Sequence, residues 1–149
     1  MKNFSIRMQS ATRAAAIIVC ATAVGPALGQ QSASSDCFKR EGHEKQRECL
    51  EEHAHKTAQE VTDTEAKVLA DINNWNQDTI YQFQTSSNLG LSNKIYEQYR
   101  EAQCELHASL AGAGASANDR RLVCEIGMDE RRIEDLKLID SELQYWKKQ

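Results

Sequence analysis

Residues 104–124, CELHASLAGAGASANDRRLVC, set Cys104 and Cys124 on either side of a run of alanine, glycine, serine and asparagine. Three structures suit such a run: a glycine-rich binding loop, a flexible linker, or the turn of a stapled helical hairpin. A phosphate-cradling loop needs a strand before it and a longer glycine pattern; Gly112 and Gly114 instead follow a segment with helical spacing. The cysteines favour the hairpin. Cys104 precedes Ala111 by about the distance that Cys124 follows Asn118, as a bridge across two antiparallel helices requires. The stretch reads as two helix ends joined by a small-residue turn, Ala111 to Asp119, fixed at its base.

Working outward, the helix before the turn is expected from about Ser92 to Ala111, with Ile95, Tyr99, Ala102, Leu106 and Leu110 along one face. Cys104 lies two positions from both Ala102 and Leu106, about 200° round the helix. This helix should therefore meet one neighbour through its apolar stripe and another through Cys104, Ala108 and Ala111. After the turn, a helical segment begins near Asp119, and Gly127 is expected to interrupt it. Asp129 then caps a last helix, with Glu130 in its first turn and Lys147 and Lys148 at its end, charges that complement the helix dipole.

Upstream, from Glu44 onwards, Leu50, Ala54, Thr57, Val61, Thr64, Val68, Ile72, Trp75 and Thr79 recur every three or four residues. That is the seam of a long amphipathic helix, lean because small residues alternate with large ones. Helix propensity falls at Asn73-Asn74-Trp75-Asn76, and Thr85-Ser86-Ser87-Asn88-Leu89-Gly90 reads as a polar breaker. No segment alternates with period two in β-branched residues. The expected class is all-α: a small antiparallel helical bundle or hairpin with one long N-terminal helix, stapled by two disulfides.

The N-terminus differs from the rest. Lys2, Arg7 and Arg13 precede an apolar run, Ala14 to Val24, closed by Ala27 and Gly29. This pattern reads as a cleaved signal peptide over 1–29; a membrane anchor is the alternative, for which the run is short of the roughly 20 apolar residues required. Residues 30–36 are read as a short linker and 37–149 as one helical domain. Removing the leader discards Cys20 and leaves four of the five cysteines, an even number that suits disulfides in the periplasm or outside the cell. The leader carries three of the 18 basic residues and none of the 22 acids. The remainder therefore has 15 against 22, or −7, where the whole chain has −4. An acidic chain argues against nucleic acid or an anionic membrane as partner after signal cleavage, and suits a cationic protein or plain solubility.

Cys37 and Cys49 would lie about 18 Å apart in one continuous helix, beyond the roughly 7 Å that a disulfide allows between α-carbons. If they pair, the chain bends between them, and Glu41-Gly42-His43 is the natural place. The sequential arrangement, Cys37–Cys49 and Cys104–Cys124, is favoured, with crossed pairings left open. His53 and His55 beside Glu51 and Glu52 read as a solvated helix face rather than a metal site, because His-x-His on a helix points its rings apart. With the cysteines paired, no nucleophile–base arrangement emerges. The expectation is a protein that is no enzyme and takes no cofactor and no metal.

Tyr96-x-x-Tyr99-Arg100-Glu101-Ala102-x-Cys104, a small-residue loop, Arg121-Leu122-x-Cys124 and Arg132-x-x-x-Leu136 together resemble the LprI-like lysozyme-inhibitor family. Asp36-Cys37 and Cys49 match that family's N-terminal cysteine pair, so the resemblance runs from about Asp36 to Leu136. It departs at Tyr96, where the family carries tryptophan, at the glycine loop, diluted here to Ala-Gly-Ala-Gly-Ala, and at Asp129 in place of threonine. The resemblance implies an exported four-cysteine helical domain that binds a protein, with a cationic lysozyme blocked by occlusion of its cleft. A periplasmic structural or adaptor module is the other reading. Tyr96, Tyr99, Arg100, Gly112, Gly114, Asn118 and Asp119 are the candidate contacts. For Tyr99 and Arg100 the plainer structural reading is a core tyrosine and an arginine paired with a nearby acid.

Overall fold

A computed structural model describes residues 34–148, and within them the chain is helical: α1 (Ser34–Cys37), α2 (His43–Asn73), α3 (Thr79–Ser109) and α4 (Ala115–Trp146). The signal segment and Cys20 lie outside the described residues. At the end of the stretch read as linker, Ser34–Asp36 already form the first turn of α1, with Ser34 buried. The three long helices run up, down and up, each about 46 Å long at 1.5 Å per residue. Cross-links between α2 and α4 keep a near-constant offset: Arg47 reaches Asp119, Thr57 reaches Asp129, and Asp71 accepts from Lys147. The helices are therefore parallel and in register, with α3 antiparallel to both.

Local chemistry explains the breaks. Gly42 has φ 87°, a conformation open to glycine, and turns the chain so that Cys37 and Cys49 come to 5.5 Å between α-carbons. α2 ends at Asn73, within the asparagine-rich dip, so its seam stops at Ile72: Trp75 lies in the connection and Thr79 opens α3. Asp78 then caps α3, its Oδ1 accepting from the Ile80 N–H at 3.1 Å. Gly112 and Gly114, with φ 73° and 118°, make the tight return into α4. The turn spans only Leu110 to Gly114, shorter than Ala111 to Asp119, because the alanine-rich segment after Gly114 is already helical. The second bridge, Cys104–Cys124, closes with 5.4 Å between α-carbons, so both sequential pairings are present.

Three expectations are corrected. Residues 85–90 do not break the chain; they lie inside α3, where Leu89 is buried and Ser86 donates to Asn73 Oδ1 across the hairpin. Gly127 does not interrupt α4, and Asp129 is no cap. Through both positions run Leu122, Ile126, Asp129, Ile133, Leu136, Asp140 and Leu143, a 4-3-4-3 seam that Asp129 occupies in place of an apolar residue. The third concerns the stripe of α3, which faces outward: Ile95 is 55 %, Tyr99 57 % and Leu106 56 % exposed. The inward face is Leu89, Asn93, Tyr96, Arg100, Cys104 and Ala108. A covalent bridge and a buried carboxylate both demand that face, and a helix cannot turn two opposed faces to the same neighbours.

The core has two halves. Cys37, Cys49, Leu50, Ala54 and Ile126 pack near the Gly112–Gly114 turn, with Leu122 and Val123 against them. Val68, Ile72, Leu89, Leu136 and Leu143 pack at the opposite end with Trp75. Between them lies a layer of polar side chains.

Candidate functional site

The polar layer is built around Asp129, whose side chain is 2 % exposed. Arg100 donates to it twice, Nε to Oδ1 at 2.7 Å and Nη2 to Oδ2 at 2.8 Å. Tyr96 Oη donates to Oδ1 at 2.5 Å and Thr57 Oγ1 to Oδ2 at 3.3 Å, so all three long helices contribute. Burial, then the bond to Asp129, raise the Tyr96 phenol above its usual range and keep it a neutral donor. Burial works to lower the pKa of Arg100, but the bond and charge of Asp129 and the charge of Glu125 outweigh it and leave it raised. One turn on, Arg132 donates to Asn93 Oδ1 at 2.6 Å, sits 5.2 Å from the Tyr96 ring centre, and faces Glu65 at 3.6 Å. Burial raises the Glu65 carboxyl, and the Arg132 charge partly offsets it.

This arrangement has no open substrate position: its groups are aimed at one another inside the bundle. The candidate contacts separate accordingly. Tyr96 and Arg100 point inward to Asp129, the acid that Arg100 was expected to find. Tyr99 is on the outer face rather than in the core. Gly112, Gly114 and Asn118 border a shallow hollow of about 290 Å³ at the turn. Asp119 is clasped by α2, accepting from Arg47 Nε at 3.3 Å and lying 2.7 Å from His43 Nε2. His43 is about 15 Å along α2 from His53 and further from His55. Among the described residues, the grouping of metal-ligand type is Cys37, Cys49 and His53; its two sulfurs are joined to each other and offer no thiolate.

The open surface of interest is a groove between α3 and α4, about 700 Å³ in volume. Val123, Cys124, Gly127 and Met128 form its floor, and Phe38 and Tyr99 flank it. A Cβ built on Gly127 would meet nothing within 4 Å, so the groove is open above it. Its polar rim is cationic. Asp119 is already paired with Arg47 and in contact with His43, whereas the Arg120 and Arg131 side chains are exposed and make no hydrogen bond or ion pair with a described residue. His107 lines the groove from α3. The sequence did not single out Arg120 and Arg131; the signal was their spacing with Ser116, Val123 and Gly127 along one side of α4, hidden once the helix was divided at Gly127.

Among the described residues, no helix is long and apolar enough to cross a membrane. In comparisons with known proteins, no family model, no curated protein and no solved structure matches the chain.

Proposed function

We propose that this chain is an exported, non-catalytic helical domain that binds another protein through its α3–α4 side. The observation that carries the reading is the unpartnered stripe of α3: Leu91, Ile95, Tyr99, Leu106 and Leu110, all exposed. The stripe runs about 28 Å along a helix whose other face is fixed by a disulfide and a buried ion pair. Contiguous exposed apolar surface on a rigid frame is the usual mark of a protein-binding face. Two disulfides suit an oxidising compartment.

The resemblance to the LprI-like family makes a lysozyme the first partner to test, and the acidic net charge would speed encounter with a cationic enzyme. The experiment is a muramidase assay with the oxidised protein at low and moderate salt. Inhibition that salt weakens is expected; no inhibition at a large excess over enzyme excludes lysozyme. The cationic rim of the α3–α4 groove favours the second reading for that face, an adaptor with no enzyme target. It predicts co-purification with an envelope complex and no effect on wall hydrolysis.

A further inference from the structure

We propose that the α3–α4 groove holds an amphipathic acidic helix of a partner protein, with an apolar face on the floor and a carboxylate at each end. This rests on the reading of the chain as a protein-binding domain and names the chemistry of what it binds. The floor supplies apolar contact from Val123 and Met128, and Gly127 leaves room for a side chain to descend between them. A helix laid in such a groove presents anchors three or four residues apart.

The two arginines decide the class of occupant. Arg120 and Arg131 stand on the same side of α4, about 16 Å apart along its axis, one near His107 at the turn end and the other near Tyr99. Neither is used by the fold. A single-headed amphiphile such as a fatty acid satisfies one of them and leaves the other facing an apolar chain. A helix with acids about three turns apart satisfies both and covers the floor between. The chain as a whole is acidic, so two unpaired arginines beside an apolar floor set this groove apart from the average surface and suit an acidic segment.

The test is fluorescence anisotropy on the oxidised protein. Its probe is a labelled synthetic helix of about 18 residues, with a glutamate near each end and leucines on the same face between. Saturable binding is expected, weakened about tenfold or more in Arg120→Glu/Arg131→Glu. That variant should in turn prefer the same peptide with lysines. Gly127→Leu, which fills the groove and keeps both arginines, should abolish binding. Equal binding of the glutamate peptide to wild type and the double variant would overturn the inference, as would no saturable binding to wild type. So would palmitate outcompeting the peptide, or a dimer of this chain that the double variant dissolves. Capture from envelope extract separates the two levels. A partner held equally by wild type and double variant removes the groove but leaves the protein-binding reading; no partner held by either removes both.

Discussion

Arg100 grips Asp129 with two parallel hydrogen bonds, 2.7 and 2.8 Å long, at the middle of a bundle whose apolar core is divided on either side of them. The pair is bidentate, the strongest arrangement open to a guanidinium and a carboxylate. Because Tyr96 and Thr57 converge on the same carboxylate, sliding any helix along its neighbour would strand a buried charge. The apolar seams are lean and would tolerate several registers. The polar layer selects one.

Asp129→Ala should therefore destabilise the domain by about 3–5 kcal/mol, since it leaves a half-buried guanidinium and a phenol without their acceptor. Arg100→Met combined with Asp129→Leu should recover much of that loss. Urea unfolding of the singles and the double measures the coupling. A single-variant cost near the roughly 0.5 kcal/mol of a surface change would show that the layer does not hold the helices together.

Outward-facing apolar residues should behave unlike their inward counterparts. Ile95→Ser and Leu106→Ser are expected to change unfolding free energy by no more than about 0.5 kcal/mol. Leu136→Ala and Ile126→Ala, which open cavities in the two halves of the core, should each cost about 2–5 kcal/mol. Denaturant midpoints of the four variants decide whether α3 is turned as described.

Much of the fold was legible before the structure, and the failures share one cause. The seam of α2, the asparagine break after it, the bend at Gly42 and the hairpin around Gly112 follow from local periodicity and turn chemistry. What could not be read was which face of α3 is inside, because apolarity favours Ile95, Tyr99 and Leu106, while the inward set is held by partners on other helices. Asp129 shows the same limit. As an isolated residue beside Gly127 it has the form of a cap; only the positions of Ile126, Ile133 and Leu136 around it mark a buried site in a continuous helix. Tyr96 and Arg100 were read as candidate partner contacts, not as partners of Asp129, and the groove with Arg120 and Arg131 exists only once α4 is unbroken.

The Cys104–Cys124 bridge closes a ring of sequence separation 20, and loop-closure entropy assigns it about 3 kcal/mol. Cys104→Ser/Cys124→Ser should lower unfolding free energy by about that amount, and reductant should have little further effect beyond opening Cys37–Cys49. Thermal melts with and without reductant test this.

At the other end, the bond from Lys147 at 2.6 Å, with the ion pair to Lys67, holds the Asp71 carboxyl well below the usual range. The folded state thus keeps this charge more firmly than the unfolded chain. Its stabilisation is complete above about pH 4, the unfolded value, and is lost as pH falls towards the depressed folded value. Asp71→Asn should be less stable than wild type at neutral pH and should converge with it in strong acid. Glu65, raised by burial, acts oppositely: the cost of its buried charge is relieved as pH falls through its folded value.

The most direct test of the account is amide hydrogen exchange on the oxidised protein, free and with a partner captured from envelope extract. Binding is predicted to slow exchange along the α3–α4 side, from Leu91 to Leu110 and from Ser116 to Arg131, and to leave the outer face of α2 unchanged. Protection confined to α2, with the α3–α4 face exchanging as in the free protein, would contradict it.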